Sequence, residues 1–129
     1  MNKEDFELAQ KARVYAHSPY SNFQVGSVLR CKNGKVYTGC NIENNGIQSI
    51  CAERTAFVKA ISEGETDFES ITIVGGSKGT DALDECLPCG YCRQFINEFV
   101  DNNFKIFTKQ DDIVREYTIE ELLPYGFKL

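Results

Sequence analysis

Three cysteines in two short motifs constrain the fold of this chain more than any other feature. Cys51 opens the motif CAER, and Cys89 and Cys92 form a Cys-x-x-Cys pair in PCGYCRQ, residues 88–94. Each motif follows a loop-like stretch and begins a helical pattern, so all three thiols fall at predicted helix starts. Cys89 and Cys92 are three residues apart and therefore share one helix face. A site that uses all three thiols requires a fold in which two helix N-termini meet over a sheet.

The remaining sequence predicts alternating helices and strands. Two β-branched runs, FQVGSVLRC and VYTGCNI, are joined by Asn33-Gly34, which is a strong indication of a hairpin. The other predicted elements are helices over residues 3–16, 50–64 and 89–100, strands over 70–76, 104–109 and 114–119, and a short last helix that breaks at Pro124. This order predicts one domain over residues 1–129, an α/β fold with three layers (α/β/α) and a central mixed β-sheet.

The charge and hydropathy of the chain exclude several classes of partner. The net charge is −5 and there is no run of Lys or Arg, so binding to a nucleic acid backbone is not expected. No apolar run approaches the roughly 18 to 20 residues that cross a bilayer, so no membrane partner is expected. The first residues, MNKEDFELAQKARVYA, are amphipathic and charged and do not resemble a signal peptide. We therefore expect a soluble, cytoplasmic protein that acts on a small molecule.

The cysteine content favours a metal or catalytic site over disulfide bonds. The chain has 6 cysteines, an even number that is compatible with disulfide pairing. A disulfide framework nevertheless needs an oxidising compartment, for which the sequence gives no indication. Cys31 and Cys40 lie in strand-like runs and are interpreted as small core residues.

Two kinds of zinc site are compatible with the remaining thiols. Three protein ligands, Cys51, Cys89 and Cys92, are typical of a catalytic zinc, and Glu53 is then free to carry protons beside the metal. The alternative is a structural zinc with four thiolates that also uses Cys86. Pro88 argues against this alternative, because it interrupts the continuous helix that would align Cys86 with the pair.

Four sequence blocks, taken together, resemble the zinc nucleoside deaminases, and specifically the small homotetrameric cytidine deaminases. The blocks, in the order and approximate spacing of that family, are SNFQVG (21–26), GCNIEN (39–44), CAERTA (51–56) with PCGYCRQ (88–94), and ELLP (121–124). The resemblance implies the cytidine-deaminase-like α/β/α fold and one Zn²⁺ per chain. It also implies hydrolytic deamination of cytidine and 2′-deoxycytidine to uridine and 2′-deoxyuridine, as in pyrimidine salvage.

The resemblance also implies roles for the residues around the metal. Cys51, Cys89 and Cys92 would hold zinc, and Glu53 would move the proton from water to the ring nitrogen N3 and then to the departing ammonia. Arg54 would donate hydrogen bonds to the sulfurs, which offsets the net negative charge of three thiolates on Zn²⁺.

Further residues are expected to contact the nucleoside. Asn41 and Glu43 alternate at a strand end, and an amide beside a carboxylate suits a sugar hydroxyl. In the family these positions hold the ribose 3′-hydroxyl. Phe23 resembles the aromatic residue that packs against the pyrimidine, and Ala52 is part of the same substrate-binding block. Phe127 resembles a residue that enters a neighbouring subunit's site, which implies a homotetramer with shared active sites.

One departure from the family pattern leaves the substrate open. Ile47 stands where family members usually carry an aromatic residue, commonly Tyr, and the stretch from Asn41 to Cys51 is one residue shorter than usual. This departure favours one alternative to cytidine deamination, a deaminase of a modified or antibiotic cytosine nucleoside. A second alternative is a non-enzymatic structural zinc module, which would have no open metal position and no role for Glu53. A third is a deaminase of polynucleotides, for which the chain lacks a basic surface.

Overall fold

The computed structural model of this chain describes residues 3–128. None of the helices in this part of the chain is long and apolar enough to cross a membrane. The elements follow one another in the order α1 (Lys3–Arg13), β1 (Phe23–Cys31), β2 (Val36–Cys40), α2 (Ala52–Ser62), β3 (Phe68–Ser77), α3 (Gly90–Phe99), β4 (Lys105–Gln110), β5 (Ile113–Thr118) and α4 (Ile119–Leu122).

The five strands form one mixed sheet in the order β2-β1-β3-β4-β5. β3 and β4 are parallel, whereas the three other neighbouring pairs are antiparallel. Parallel neighbours cannot be joined by a tight turn, and α3 supplies the crossover between them. The predicted hairpin is also present, with Arg30 of β1 opposite Val36 of β2. The sequence-based expectation of a central mixed sheet is confirmed.

Helices cover both faces of the sheet, which gives the three predicted layers. Successive side chains of β1 point to opposite faces, so Val28 packs in the cluster beneath α1 and Leu29 packs beneath α2. The core on the α2 side is the larger one. At its centre lies Phe57, which is completely buried and makes an edge contact with Phe68 at a ring-centroid distance of 5.1 Å.

Two glycines allow the helices to lie unusually close to the hairpin. A Cβ atom at Gly26 would stand 2.0 Å from the carbonyl oxygen of Ala9 in α1. A Cβ atom at Gly39 would stand 2.4 Å from the carbonyl oxygen of Ala52 in α2. Since no side chain fits at these distances, both positions require glycine. Gly39 thereby fixes the distance between the sheet and the first turn of α2.

The structure corrects two predicted helix boundaries. The helix predicted over residues 3–16 ends at Arg13, because His17 is extended and its N–H donates to the Asn41 carbonyl at 3.0 Å. The last helix is a single turn, Ile119–Leu122, which begins with a reciprocal capping box between Thr118 and Glu121.

Candidate active site and metal centre

The structure brings together the two helix starts that carry the thiols. Cys51 is the N-cap residue of α2, and Cys89 is the N-cap residue of α3. Both have an extended backbone and neither uses its side chain to cap its own helix, so the sulfurs are free to face each other. Cys92 follows in the first turn of α3 and is fully buried. The unpaired N–H groups at the N-termini of α2 and α3 favour negative charge on these sulfurs.

The three sulfurs have the spacing of a single zinc site. The Sγ atoms lie within 4.8 Å of one another, with 3.7 Å between Cys51 and Cys89 and 3.5 Å between Cys89 and Cys92. Tetrahedral zinc with Zn–S bonds of about 2.3 Å separates its sulfur ligands by about 3.8 Å. The donor set therefore fits one Zn²⁺ ion.

The other cysteines lie outside this group. Among the described residues, Cys86 does not belong to the metal-compatible cluster, and its sulfur lies instead beside Gly75 of β3. Burial raises the pKa of the Cys86 thiol to about 12. The four-thiolate alternative thus lacks its fourth ligand. All six cysteines are free thiols, Cys31 is buried in the core as expected, and Cys40 is half-buried.

Hydrogen bonding distributes the protons unequally within the thiol cluster. A hydrogen bond from Cys92 lowers the pKa of the Cys51 thiol to about 5, against the opposing effect of burial, and Arg54 adds to this lowering. The same hydrogen bond, together with burial, raises the pKa of Cys92. Cys51 is therefore the first thiolate of the cluster.

Glu53 lies in the first turn of α2 directly beside the thiols. Its side chain is only 4% exposed. Burial, and secondly the negative charge on Cys51, together raise the pKa of its carboxyl group to about 7. A buried carboxyl group two residues after a metal ligand, and not itself in the ligand set, is placed to exchange protons with a molecule held at the metal.

Arg54 contacts the cluster from the same helix. Its Nη2 atom lies 3.8 Å from the Cys51 sulfur and donates a hydrogen bond to the Ser49 carbonyl at 3.2 Å. The predicted placement of a cation against the thiolates is therefore present in the structure.

Two hydroxyl groups that fix the start of α2 were missed in the sequence. Ser27 on β1 is fully buried, and its Oγ donates to the Ala52 carbonyl at 2.8 Å. The Thr55 hydroxyl contacts the Cys40 carbonyl at 3.1 Å and the Cys51 carbonyl at 3.2 Å. Ser27 belongs to none of the sequence blocks, and its contact joins residues that are 25 positions apart. Thr55 lies in the CAERTA block, but its contact with Cys40 joins residues that are 15 positions apart, which the block does not show.

Asn41 holds the start of β1, and Glu43 holds the segment that leads into it. The Asn41 amide donates to the Phe23 carbonyl at 2.9 Å and accepts from the Val25 N–H at 2.9 Å. The Glu43 carboxylate accepts from the N–H groups of Tyr20 and Ser21 and from the Ser21 hydroxyl. Hydrogen bonds from Ser21 lower the pKa of Glu43, which favours its charged form. Both side chains are thus held in fixed orientations.

Phe23 and Ala52 differ in what they can offer a ligand. The Phe23 ring is partly buried and lies against Gly75 of β3, next to the Cys86 sulfur. A Cβ atom at Gly75 would stand 2.9 Å from both the ring and the sulfur. The Ala52 side chain is fully buried, so a contact with a ligand would have to use its backbone. Its N–H lies in the first turn of α2, where the N–H groups have no partner within the helix.

Phe127 and Ile47 lie on the surface of the chain. The Phe127 side chain is 59% exposed, while its carbonyl accepts hydrogen bonds from Gln94 and Asn97 of α3. Ile47 is fully exposed in the loop after Gly46. The structure describes one chain, in which neither apolar side chain is covered.

Three thiols at two helix N-termini, with a buried glutamate beside them, define a zinc-dependent hydrolytic enzyme as the class of protein. The family model "Cytidine and deoxycytidylate deaminase zinc-binding region" matches residues 2–108. The chain belongs to this family, and the matched region is the one that contains the thiol cluster.

Named relatives and solved structures agree with this assignment. The chain is 44% identical over 122 residues to a cytidine deaminase from Halalkalibacterium halodurans, covering 92% of this chain and 88% of the relative. It is 40% identical over 121 residues to one from Sporosarcina psychrophila, covering 92% and 85%. The crystal structure of cytidine deaminase from Burkholderia pseudomallei is 38% identical, covers 98% of this chain and 100% of that one, and superposes with a TM-score of 0.85. The predicted family and fold class are confirmed.

Proposed function

We propose that this protein is a zinc-dependent cytidine deaminase that hydrolyses cytidine and 2′-deoxycytidine to uridine and 2′-deoxyuridine, with release of ammonia. The single observation that carries the proposal is the position of Glu53, buried in the first turn of α2 beside the Cys51, Cys89 and Cys92 sulfurs. A structural zinc module does not need a carboxyl group buried at that place, where an uncompensated charge is costly.

In the proposed reaction, water is activated at the metal and Glu53 transfers the protons. When bound, Zn²⁺ supplies a Lewis acid that makes water a competent nucleophile at neutral pH. The Glu53 carboxylate would take a proton from the water that attacks C4 and deliver it to N3 of the cytosine ring. It then carries the second proton to the amino group that leaves C4 as ammonia. Water supplies both the new C4 oxygen and the two transferred protons, so the atoms balance.

Four further residues are proposed to hold the nucleoside. Asn41 and Glu43 face the sugar, where the charged Glu43 accepts from a hydroxyl group and the Asn41 amide supplies the complementary partner. Phe23 packs against the pyrimidine ring. The free N–H at Ala52 is available to a ring oxygen at the helix N-terminus.

The complete site is proposed to form in a homotetramer. Phe127 is exposed and held by its carbonyl on α3, which leaves its ring free to enter the site of a neighbouring chain. The proposed setting is the cytoplasm, where the enzyme serves pyrimidine salvage. The net charge of −5 agrees with a small nucleoside substrate, with no nucleic acid as partner.

A second candidate substrate is a modified cytosine nucleoside. The observation that favours it is the exposed Ile47 loop, which departs from the family pattern beside Asn44 and Ser49. A different loop near the sugar would change the substrates that the site accepts but not the chemistry at C4.

An ultraviolet assay across cytidine, 2′-deoxycytidine, a modified cytosine nucleoside, cytosine and deoxycytidylate tests the proposal. We expect turnover of the two nucleosides, with kcat/KM at least about 100-fold lower for the free base, which lacks the binding energy of the sugar. Absence of nucleoside turnover by zinc-loaded protein would contradict the proposal. Turnover of a modified nucleoside at more than ten times the kcat/KM for cytidine would instead favour the second candidate.

A further inference from the structure

Tyr91 lies between two of the zinc ligands in the sequence and contacts the helix that carries the third one. It occupies the position after Gly90 in α3, between Cys89 and Cys92. The guanidinium carbon of Arg54 lies 4.4 Å from the centroid of the Tyr91 ring. Arg54 belongs to α2, so this contact joins the two helices that carry the thiols.

Besides the Tyr91 ring, Arg54 contacts one backbone carbonyl and the sulfurs of the thiol cluster. Its Nη2 atom donates to the Ser49 carbonyl at 3.2 Å and contacts the Cys51 sulfur at 3.8 Å. In the part of the chain that the structure describes, the buried Nε atom of Arg54 has no hydrogen-bond partner. The guanidinium carbon therefore lies over the Tyr91 ring, while Nη2 reaches the Ser49 carbonyl and the Cys51 sulfur.

We propose that Tyr91 is a positioning residue that holds the Arg54 guanidinium against the zinc thiolates and thereby slows the loss of zinc. This inference rests on the proposed function, because it assigns Tyr91 a task at the same metal centre. The arene face attracts a cation, and a guanidinium stacks on it better than an ammonium group does. A free Arg54 would rotate into solvent, and three thiolates on Zn²⁺ would keep an unbalanced negative charge.

The expected effect is moderate, because Tyr91 acts through Arg54 and is itself 68% exposed. Loss of a hydrogen-bonding partner of a metal ligand typically changes metal affinity by about 10- to 100-fold. A cation–π contact at a partly exposed site contributes less, and we expect release of zinc about fivefold faster in Tyr91→Ala.

The test measures the rate at which the zinc-loaded protein releases its metal into excess pyridylazoresorcinol. The absorbance of this chelator changes when it binds zinc. The variants are Tyr91→Ala, Tyr91→Phe, Arg54→Gln and the double variant Tyr91→Ala with Arg54→Gln. We expect Tyr91→Phe to release zinc at the wild-type rate, since it keeps the ring. Tyr91→Ala should release zinc about fivefold faster in the wild-type background and should add nothing in the Arg54→Gln background. Tyr15→Ala is the matched control, because Tyr15 is 82% exposed and lies in the turn after α1.

Two results would overturn the inference: wild-type release from Tyr91→Ala, or equal acceleration in both backgrounds, which would indicate a general loosening of α3. The readout does not need catalysis. If wild-type protein holds zinc but does not deaminate cytidine, the proposed function fails, and the release rates still decide the role of Tyr91. If deamination is normal and release is insensitive to Tyr91→Ala, this inference alone fails.

Discussion

A single methyl group at Gly39 should impair catalysis by displacing the helix that carries Cys51 and Glu53. In Gly39→Ala, the added Cβ atom would lie 2.4 Å from the Ala52 carbonyl oxygen and 2.7 Å from the Ala56 nitrogen. Both neighbours are backbone atoms, so no side chain can rotate away. Ordinary contact begins at 3.4 Å, so the start of α2 must move by about 1 Å.

The consequence for catalysis follows from the position of Gly39 beneath the first turn of α2. A misplacement of about 1 Å at a reacting group can lower the rate about 100-fold. Overpacking of this kind also lowers the free energy of unfolding by about 1–3 kcal/mol. We expect kcat/KM for cytidine to fall about 100-fold in a protein that is still folded. The assays are ultraviolet kinetics, zinc content and thermal unfolding.

Gly26→Ala provides a matched control on the other face of the sheet. Its Cβ atom would lie 2.0 Å from the Ala9 carbonyl oxygen, so it displaces α1 and not α2. We expect a comparable loss of stability with less than a tenfold loss of kcat/KM. If Gly39→Ala keeps more than half of the wild-type kcat/KM, or if both variants lose activity equally, the close approach at Gly39 does not position the catalytic groups.

Three further predictions concern the hydrogen bond beneath α2, the subunit contact and the metal. Ser27→Ala should lower the free energy of unfolding by about 0.5–1.5 kcal/mol, because it removes the side-chain hydrogen bond to the Ala52 carbonyl, which keeps only its partner within α2, and an unchanged denaturation midpoint would refute this. Phe127→Ala should raise the KM for cytidine about 5- to 150-fold with unchanged zinc content, since a lost base–aromatic stack costs about 1–3 kcal/mol. A lower melting temperature with unchanged kinetics would indicate a packing role only. X-ray absorption of the zinc-loaded protein should show three sulfur ligands and one oxygen ligand, whereas four sulfur ligands would favour a structural site.

The sequence predicts the parts of this site that local patterns encode. Cys51 and Cys89 could be placed at helix starts because a loop-like stretch precedes a helical pattern at each position, and the structure makes both of them N-cap residues. The mixed sheet followed from the hairpin at Asn33-Gly34 and from the single strand–helix–strand unit around α3.

Other features depend on contacts that no local pattern records. Ser27 lies in an ordinary apolar strand, and its role arises only because α2 packs over it. From the sequence, Tyr91 is an ordinary exposed aromatic residue of α3. Its role follows only from the packing of α2, which places Arg54 over the Tyr91 ring. The predicted helix over residues 3–16 was too long because Tyr15 continues the helical pattern, whereas the pairing of His17 with Ile42 requires an extended chain.

The central claim is that Glu53 moves the protons in a reaction at the three-thiolate zinc site, and turnover of Glu53→Gln tests it most directly. Glutamine keeps the shape of the side chain but cannot carry a proton. Positioned acid–base groups contribute about 10²- to 10⁴-fold, so we expect kcat for cytidine to fall at least about 100-fold in a protein that is folded and retains one zinc per chain. A Glu53→Gln protein that keeps more than about a tenth of the wild-type turnover would contradict the proposed mechanism.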